Sequence, residues 1–505
     1  MPTYEASYPP SIYHAHKPKR RHAFGAGKFY NIAGSGTALL RKLFTVVNLF
    51  RIIWIFVLIR GERWVFQTAI ESCDWKNWED WPEDATPSRV VLVADPQLVD
   101  GHTYPGRPYP LLALTEFYVD TYMHRAWTYL ETKLQSDATI FLGDLFDGGR
   151  EWDHYTWLKE YQRFQAIFPP SQGKITLYEV AGNHDIGLGN TIVVEALRRF
   201  RAYFGEPSRS VEIGNHTIVL LDTDSLMNYH DEEVFAPPRI FLEDLVAKTN
   251  QAGDHALPRI VLSHIPFFRL PDKYCGPLRE SKQAITLVKG YQYQNVLHQN
   301  LSEEVLDRLR PIAIFSGDDH DACQVRHDYD NGNKHAIEYT VKSFSIAMGV
   351  NYPAFEMISL WNPNPDHKAF QGSQPTFKAH LCVLPSQFDI FRSYAKLFFL
   401  TIIGSIAASY RIWNNKKRAA AKSGIGLGIG SGSGSGNVKS RRDRVFLPYP
   451  PSVNIVLGTL RSIQRNKYYM LIVGRPDTWQ KEFTTMLVHV GYVAVPWYFY
   501  LLVRL

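Results

Sequence analysis

Five short apolar runs, each stopping at a residue able to bind a metal, constrain this chain more than any other feature. Arg89-Val-Val-Leu-Val-Ala ends at Asp95, Ala138-Thr-Ile-Phe-Leu-Gly at Asp144, and Leu177-Tyr-Glu-Val-Ala-Gly at Asn183. Arg259-Ile-Val-Leu-Ser ends at His264 and Ile312-Ala-Ile-Phe-Ser-Gly at Asp318. A short apolar run bounded by turn formers reads as a strand buried on both faces, and the polar residue after it is delivered to the sheet's carboxyl edge. Helical periodicity over 116–134 and 191–204 places helices between the strands. The expected fold is α/β, a layered β-sandwich flanked by helices. With 505 residues, 45% of them hydrophobic, the chain can bury a large core.

Taken in order, the motifs are Asp95-Pro-Gln97, Gly143-Asp144-Leu-Phe-Asp147-Gly-Gly-Arg150, Gly182-Asn183-His184-Asp185, Ser263-His264 and Gly317-Asp318-Asp319-His320. Any one alone is weak, since an isolated Gly-Asp makes a turn and a lone histidine packs in cores. The ordered set, each member at a strand end, points to a centre for two divalent cations. Such cations repel each other, and a carboxylate shared between them offsets the repulsion. Asp144 is the natural bridge. A mixed oxygen and nitrogen donor set leaves open positions that a closed thiolate cage would not. The adjoining glycines let the backbone approach the metals. Asp222, at the end of another apolar run, reads as structural.

These motifs resemble the calcineurin-like metallophosphoesterase superfamily over about residues 89–345. The runs ADPQ, FLGDLFDGGR, VAGNHDIG, SGDDHDAC and EYTVKSFSIAMGV resemble a narrower group. That group is the eukaryotic endoplasmic-reticulum phosphodiesterases that remove ethanolamine phosphate from GPI-anchor mannoses, and the similarity leans to the fungal branch and the first mannose. The resemblance implies Asp95, Asp144 and His320 on one metal, and Asp144, Asn183, His264 and Asp318 on the other. It implies His184 as the catalytic group, supported by Asp147 and Asp185, with Arg150 either touching phosphate or making a structural ion pair. Two positions depart from the superfamily: Gln97 stands where a histidine is usual, and Asp318 replaces the first histidine of the last motif. One neutral nitrogen ligand is lost and one anionic oxygen gained, so Gln97 is a weak ligand or a supporting residue. The oxygen-rich set favours Mn²⁺, with Zn²⁺ or Fe as alternatives. The expected substrate is a GPI glycolipid or GPI-anchored protein. The alternatives are a membrane phosphoesterase for another phospholipid, nucleotide or phosphoprotein, and a catalytically silent scaffold for GPI-anchored cargo.

Hydrophobic segments at 43–59, 397–413 and 483–503 are expected to cross a membrane, the first spanning ~26 Å as a helix. Arg51 inside it must snorkel, pair or face another helix. The net charge of +6 concentrates in basic runs around Lys17–Arg21 and Lys416–Lys422. Both runs flank apolar segments, where positive charge sets orientation, so a membrane rather than a nucleic acid is expected as partner. This gives a cytosolic tail at 1–42, a lumenal domain at 60–396 with its core at about 89–360, and a cytosolic basic and Gly/Ser-rich linker at 414–482. Trp75, Trp78 and Trp81 are expected at the membrane interface. Sequons at Asn215 and Asn300 fall in the lumenal stretch. So do all four cysteines, Cys73, Cys275, Cys323 and Cys382, which allow three full pairings. A Cys275–Cys323 bond suits an oxidising lumen better than a metal thiolate at Cys323.

Overall fold

The computed structural model describes residues 45–171, 173–363, 375–422 and 478–504. The basic tail and the Gly/Ser tract at 421–436 lie outside this set, apart from residues 421 and 422. Two sheets form the core of the fold. The first contains β1 (Ser88–Val93), β2 (Ala138–Phe141), β3 (Ile175–Leu177), β12 (Ala354–Leu360) and β13 (Phe377–Val383), in the order β13-β12-β1-β2-β3. The second contains β4 (Arg209–Ile213), β5 (His216–Leu220), β6 (Arg259–Leu262), β9 (Ala313–Ser316), β10 (Cys323–Tyr329) and β11 (Lys334–Thr340), in the order β10-β11-β9-β6-β5-β4. A short hairpin, β7 (Lys289–Gly290) and β8 (Tyr293–Gln294), stands apart.

Strand periodicity decides the layering. Val90, Leu92, Ile140, Ile218, Leu220, Ile260 and Phe315 point between the sheets into one cluster. Their neighbours Val91, Val93 and Phe141 face outward under the helices Tyr109–Lys133, His154–Ile167 and Val194–Phe204. Val219, Val261 and Ile314 face outward on the other side, under Glu232–Ala252 and Gln299–Leu309. With both faces of each sheet covered, the central strands are continuously apolar. Each aliphatic side chain so buried contributes ~1.5–3 kcal/mol. Within the first sheet β1, β2 and β3 run parallel, and in the second β5, β6 and β9 do. Their carboxyl ends gather at one edge of the sandwich.

Three features differ from the sequence reading. The first sheet continues to residue 383 through β13, so the core extends beyond 360. The first long helix starts at Tyr109 rather than 116, with a proline in its opening turn, where a missing N–H costs nothing. The tryptophans do not form an interfacial belt. Trp75 is buried and donates to the Leu134 carbonyl at 2.6 Å, Trp78 stacks on His380, and Trp81 donates to Ser359 at 2.8 Å. Their indoles cover apolar surface at the sheet's edge that would otherwise face water.

Two helices, Gln387–Lys422 and Trp479–Val503, are long and apolar enough to cross a membrane. They pack against Val46–Ile59. Arg51 does face another helix: its Nε donates to the His489 carbonyl at 2.9 Å and its Nη1 to Asn48 at 3.0 Å. A π-turn at Arg60–Trp64 then brings Glu62 against Arg125 of the Tyr109–Lys133 helix, 2.6 Å away with both side chains buried. A Cβ at Gly61 would run into the Tyr394 hydroxyl, so a larger residue here would have to displace that ring. Two disulfides, Cys73–Cys382 and Cys275–Cys323, take up all four cysteines.

Candidate metal centre

Asp95, Asp144 and Asn183 follow β1, β2 and β3, while His264, Asp318 and His320 follow β6 and β9. The backbone is forced to deliver them. Asp95, Gln97, Asp144, Asp318 and His320 all adopt left-handed conformations, with φ of 46°, 37°, 49°, 64° and 64°. Such conformations cost ~1–3 kcal/mol each in non-glycine residues and persist where the surroundings over-determine them. Gly182 completes the cradle, since a Cβ there would lie 2.2 Å from an Asp144 oxygen.

One ligand atom each from Asp95, Asp144 and His320 lies within 4.8 Å of the others. The other half of the centre surrounds His264. Its Nδ1 donates to the Leu142 carbonyl at 2.8 Å, which turns Nε2 towards the site. Around that nitrogen stand oxygens of Asn183 at 3.2 Å, Asp144 at 3.3 Å and Asp318 at 3.7 Å. Three oxygens gathered round one ring nitrogen form a donor set suited to a cation. The Asn183 amide is oriented for this, because its Nδ2 donates to the Gln292 carbonyl at 2.9 Å and turns Oδ1 inward.

Electrostatics agree. Burial pushes the Asp95 carboxyl well above its usual range and raises Asp318 to about 7, with Asp144 adding repulsion at both. Burial alone would depress His264, but Asp144, Asp95 and Asp318 outweigh it and hold the imidazole well above its usual range. Burial lowers His320 to about 4, so this ring is neutral and free to coordinate. Oδ2 of Asp95, Oε1 of Gln97 and both carboxylate oxygens of Asp224 are buried with no hydrogen-bond partner among the described residues. A buried pocket with more carboxylates than one histidine can neutralise fits divalent cations.

The remaining expected residues hold this arrangement. Asp185 accepts from the backbone N–H of Leu145 at 3.0 Å, Phe146 at 3.2 Å and Gly182 at 3.0 Å, clasping two site loops together. Arg150 donates to the Asn183 carbonyl at 2.8 Å, a structural contact. Gln97 donates to Asp147 at 2.9 Å. His184 Nδ1 donates to the Asp147 carbonyl at 2.7 Å, leaving Nε2 free on a side chain that is 23% exposed. Asn215 and Asn300 are exposed. Asp222 caps a short helix through the Ser225 N–H at 2.8 Å, the structural role expected of it.

Sequence reasoning passed over four contributors. His102 joins Asp147 and His184 in a second cluster within 4.8 Å. Asp224, fully buried, lies within electrostatic reach of His264, Asp318 and Asp144. The carbonyls of Gln292 and Met348 anchor Asn183 and His320. Asp224 had a signal, a second acid after an apolar run. The two carbonyls had none.

A family model described as calcineurin-like phosphoesterase matches residues 88–322. Cell division control protein 1 of Saccharomyces cerevisiae is 42% identical over 385 residues, covering 75% of this chain and 77% of that protein. Metallophosphoesterase 1 homolog of Caenorhabditis elegans is 27% identical over 322 residues, covering 61% of this chain and 80% of that protein. Among solved structures, a dimetal phosphatase from Danio rerio aligns with a TM-score of 0.34 and 16% identity, covering 55% of this chain and 94% of that one.

Proposed function

Because the chain belongs to the calcineurin-like phosphoesterase family, we propose that it is a membrane-anchored, binuclear metal-dependent phosphodiesterase that removes ethanolamine phosphate from a GPI-anchor mannose. The observation that carries the chemistry is the His264 nitrogen ringed by Asn183, Asp144 and Asp318, beside the Asp95, Asp144 and His320 cluster. Bound there, divalent cations would supply Lewis-acid polarisation of a phosphoryl oxygen and offset developing charge, Mn²⁺ being favoured by the oxygen-rich donors. His184, fixed through Nδ1 to Asp147, presents Nε2 at the mouth of the site. As an imidazolium it would give its proton to the departing alkoxide oxygen, a contribution of ~10²–10⁴-fold. A phosphodiester carries a single negative charge, so the extra carboxylate at Asp318 is no handicap to binding it.

The GPI substrate and a lumenal site in the endoplasmic reticulum are supported by the longer sequence runs, by the two long apolar helices that follow the domain, and by the paired cysteines. The exposed asparagines Asn215 and Asn300 of the two sequons suit the same orientation. The test is mass spectrometry of GPI glycans from cells lacking the protein, complemented with wild type or His184→Ala. Mannose-linked ethanolamine phosphate should persist in the null and with His184→Ala, and disappear with wild type. Unchanged glycans in the null would contradict the substrate. Full restoration by His184→Ala would favour the scaffold.

A further inference from the structure

We propose that the opening turns of the Tyr109–Lys133 helix rest in the lipid interface beside the membrane helices, so that the metal site opens at the bilayer surface. The proposal depends on the reading of Gln387–Lys422 and Trp479–Val503 as membrane-spanning. One stripe of the Tyr109–Lys133 helix meets the membrane bundle turn after turn. Arg125 ion-pairs with Glu62 at 2.6 Å, the Tyr122 hydroxyl donates to the Pro385 carbonyl at 2.7 Å, and the Tyr118 ring lies 5.9 Å from Phe391. Followed towards the helix N-terminus, the contacts therefore move from Pro385, before the Gln387–Lys422 helix, to Phe391 inside it.

Helical spacing carries the same stripe on to Leu114 and Leu111. Seven residues advance the helix by ~10 Å, so Leu111 lies that much further along the descent than Tyr118. Among the described residues nothing covers this end: Leu114 is 49% and Leu111 52% exposed, and Pro105, Pro108 and Pro110 beside them are exposed too. The stripe carries no carboxylate there. Asp120 turns the other way, to Arg163 at 2.7 Å. Arg107, stacked 3.4 Å over the Tyr104 ring, adds a cation suited to lipid phosphates. An apolar patch continuous with a membrane bundle has lipid as its occupant.

The same segment reaches the chemistry. His102, seven residues before Tyr109, clusters with Asp147 and His184, and its backbone N–H is tied to Asp100 at 2.7 Å. A headgroup-linked phosphodiester could then meet His184 without leaving the leaflet.

All four cysteines are in disulfides, so Leu111→Cys in the full chain gives a single site for a nitroxide label. The protein would be placed in phosphatidylcholine vesicles and relaxation measured with oxygen, which partitions into lipid, and with a nickel chelate, which stays in water. Phe399→Cys, at a 62% exposed position of the Gln387–Lys422 helix, is the lipid reference. Tyr155→Cys, at a 73% exposed position of the His154–Ile167 helix, is the water reference. The oxygen-to-nickel ratio at 111 should exceed that at 155 several-fold and approach that at 399. A label at 111 as open to nickel as 155, with 399 lipid-like, overturns the proposal. A nickel-accessible 399 overturns it together with the membrane reading beneath it.

Discussion

Asp224 and Asp222 stand two residues apart and do opposite jobs. Asp222 has a local partner in the Ser225 N–H, whereas both Asp224 oxygens are buried without one, close to His264, Asp318 and Asp144. Asp224→Asn should therefore weaken divalent-metal affinity by ~10–100-fold, as loss of a supporting group beside a metal does. Asp222→Asn should instead lower Tm equally with and without metal. Wild-type affinity in Asp224→Asn, by metal titration, would remove Asp224 from the centre. Glu356 tests burial itself. It faces a cavity of about 240 Å³ between the sheets, and burial raises its carboxyl from 4.5 to about 8. The folded chain thus holds a proton that the unfolded chain releases between those values. Stability is lost as pH rises from about 4.5 to about 8, by a few kcal/mol in order of magnitude. Glu356→Gln should flatten that fall in Tm, and parallel curves for the two proteins would contradict it. The candidate cluster was legible in the sequence because its side chains end apolar runs or, like His320, follow within two residues. The carbonyls of Gln292 and Met348 were not, since any residue supplies a carbonyl and only the loop's path aims it.

Among the elements, the π-turn at Arg60–Trp64 joins the bundle of apolar helices to the two-sheet domain. Glu62 sits there against Arg125, and the Tyr394 hydroxyl donates to it at 2.6 Å. Removing one partner of a buried pair leaves an uncompensated charge, costing ~3–5 kcal/mol, while an apolar pair of similar volume can be neutral. Glu62→Ala should therefore lower Tm markedly, and Glu62→Leu with Arg125→Met should recover most of the loss. A silent Glu62→Ala would mean the joint does not depend on this pair. The strands feeding the site were legible because burial on both faces makes them continuous apolar runs. β13 was not: its Lys378 and His380 break the pattern, and no metal-capable residue marks its end. The tryptophans misled because an indole beside an apolar segment suits a bilayer and a sheet edge equally well. Only tertiary packing decided between them.

At the scale of the whole molecule, two sandwiched sheets bring five strand ends together, where we propose a binuclear centre with Asp144 between the metals. The direct measurement is metal content per chain, together with turnover of a chromogenic phosphodiester, for the purified full chain and two variants. Wild type should hold two divalent metals and turn over. His184→Ala should keep both metals and lose ~10²–10⁴-fold in rate. Asp144→Asn should lose turnover and much of the metal, because a neutral amide cannot offset two adjacent dications. Near-normal turnover by Asp144→Asn with two metals still bound would contradict the account at its centre.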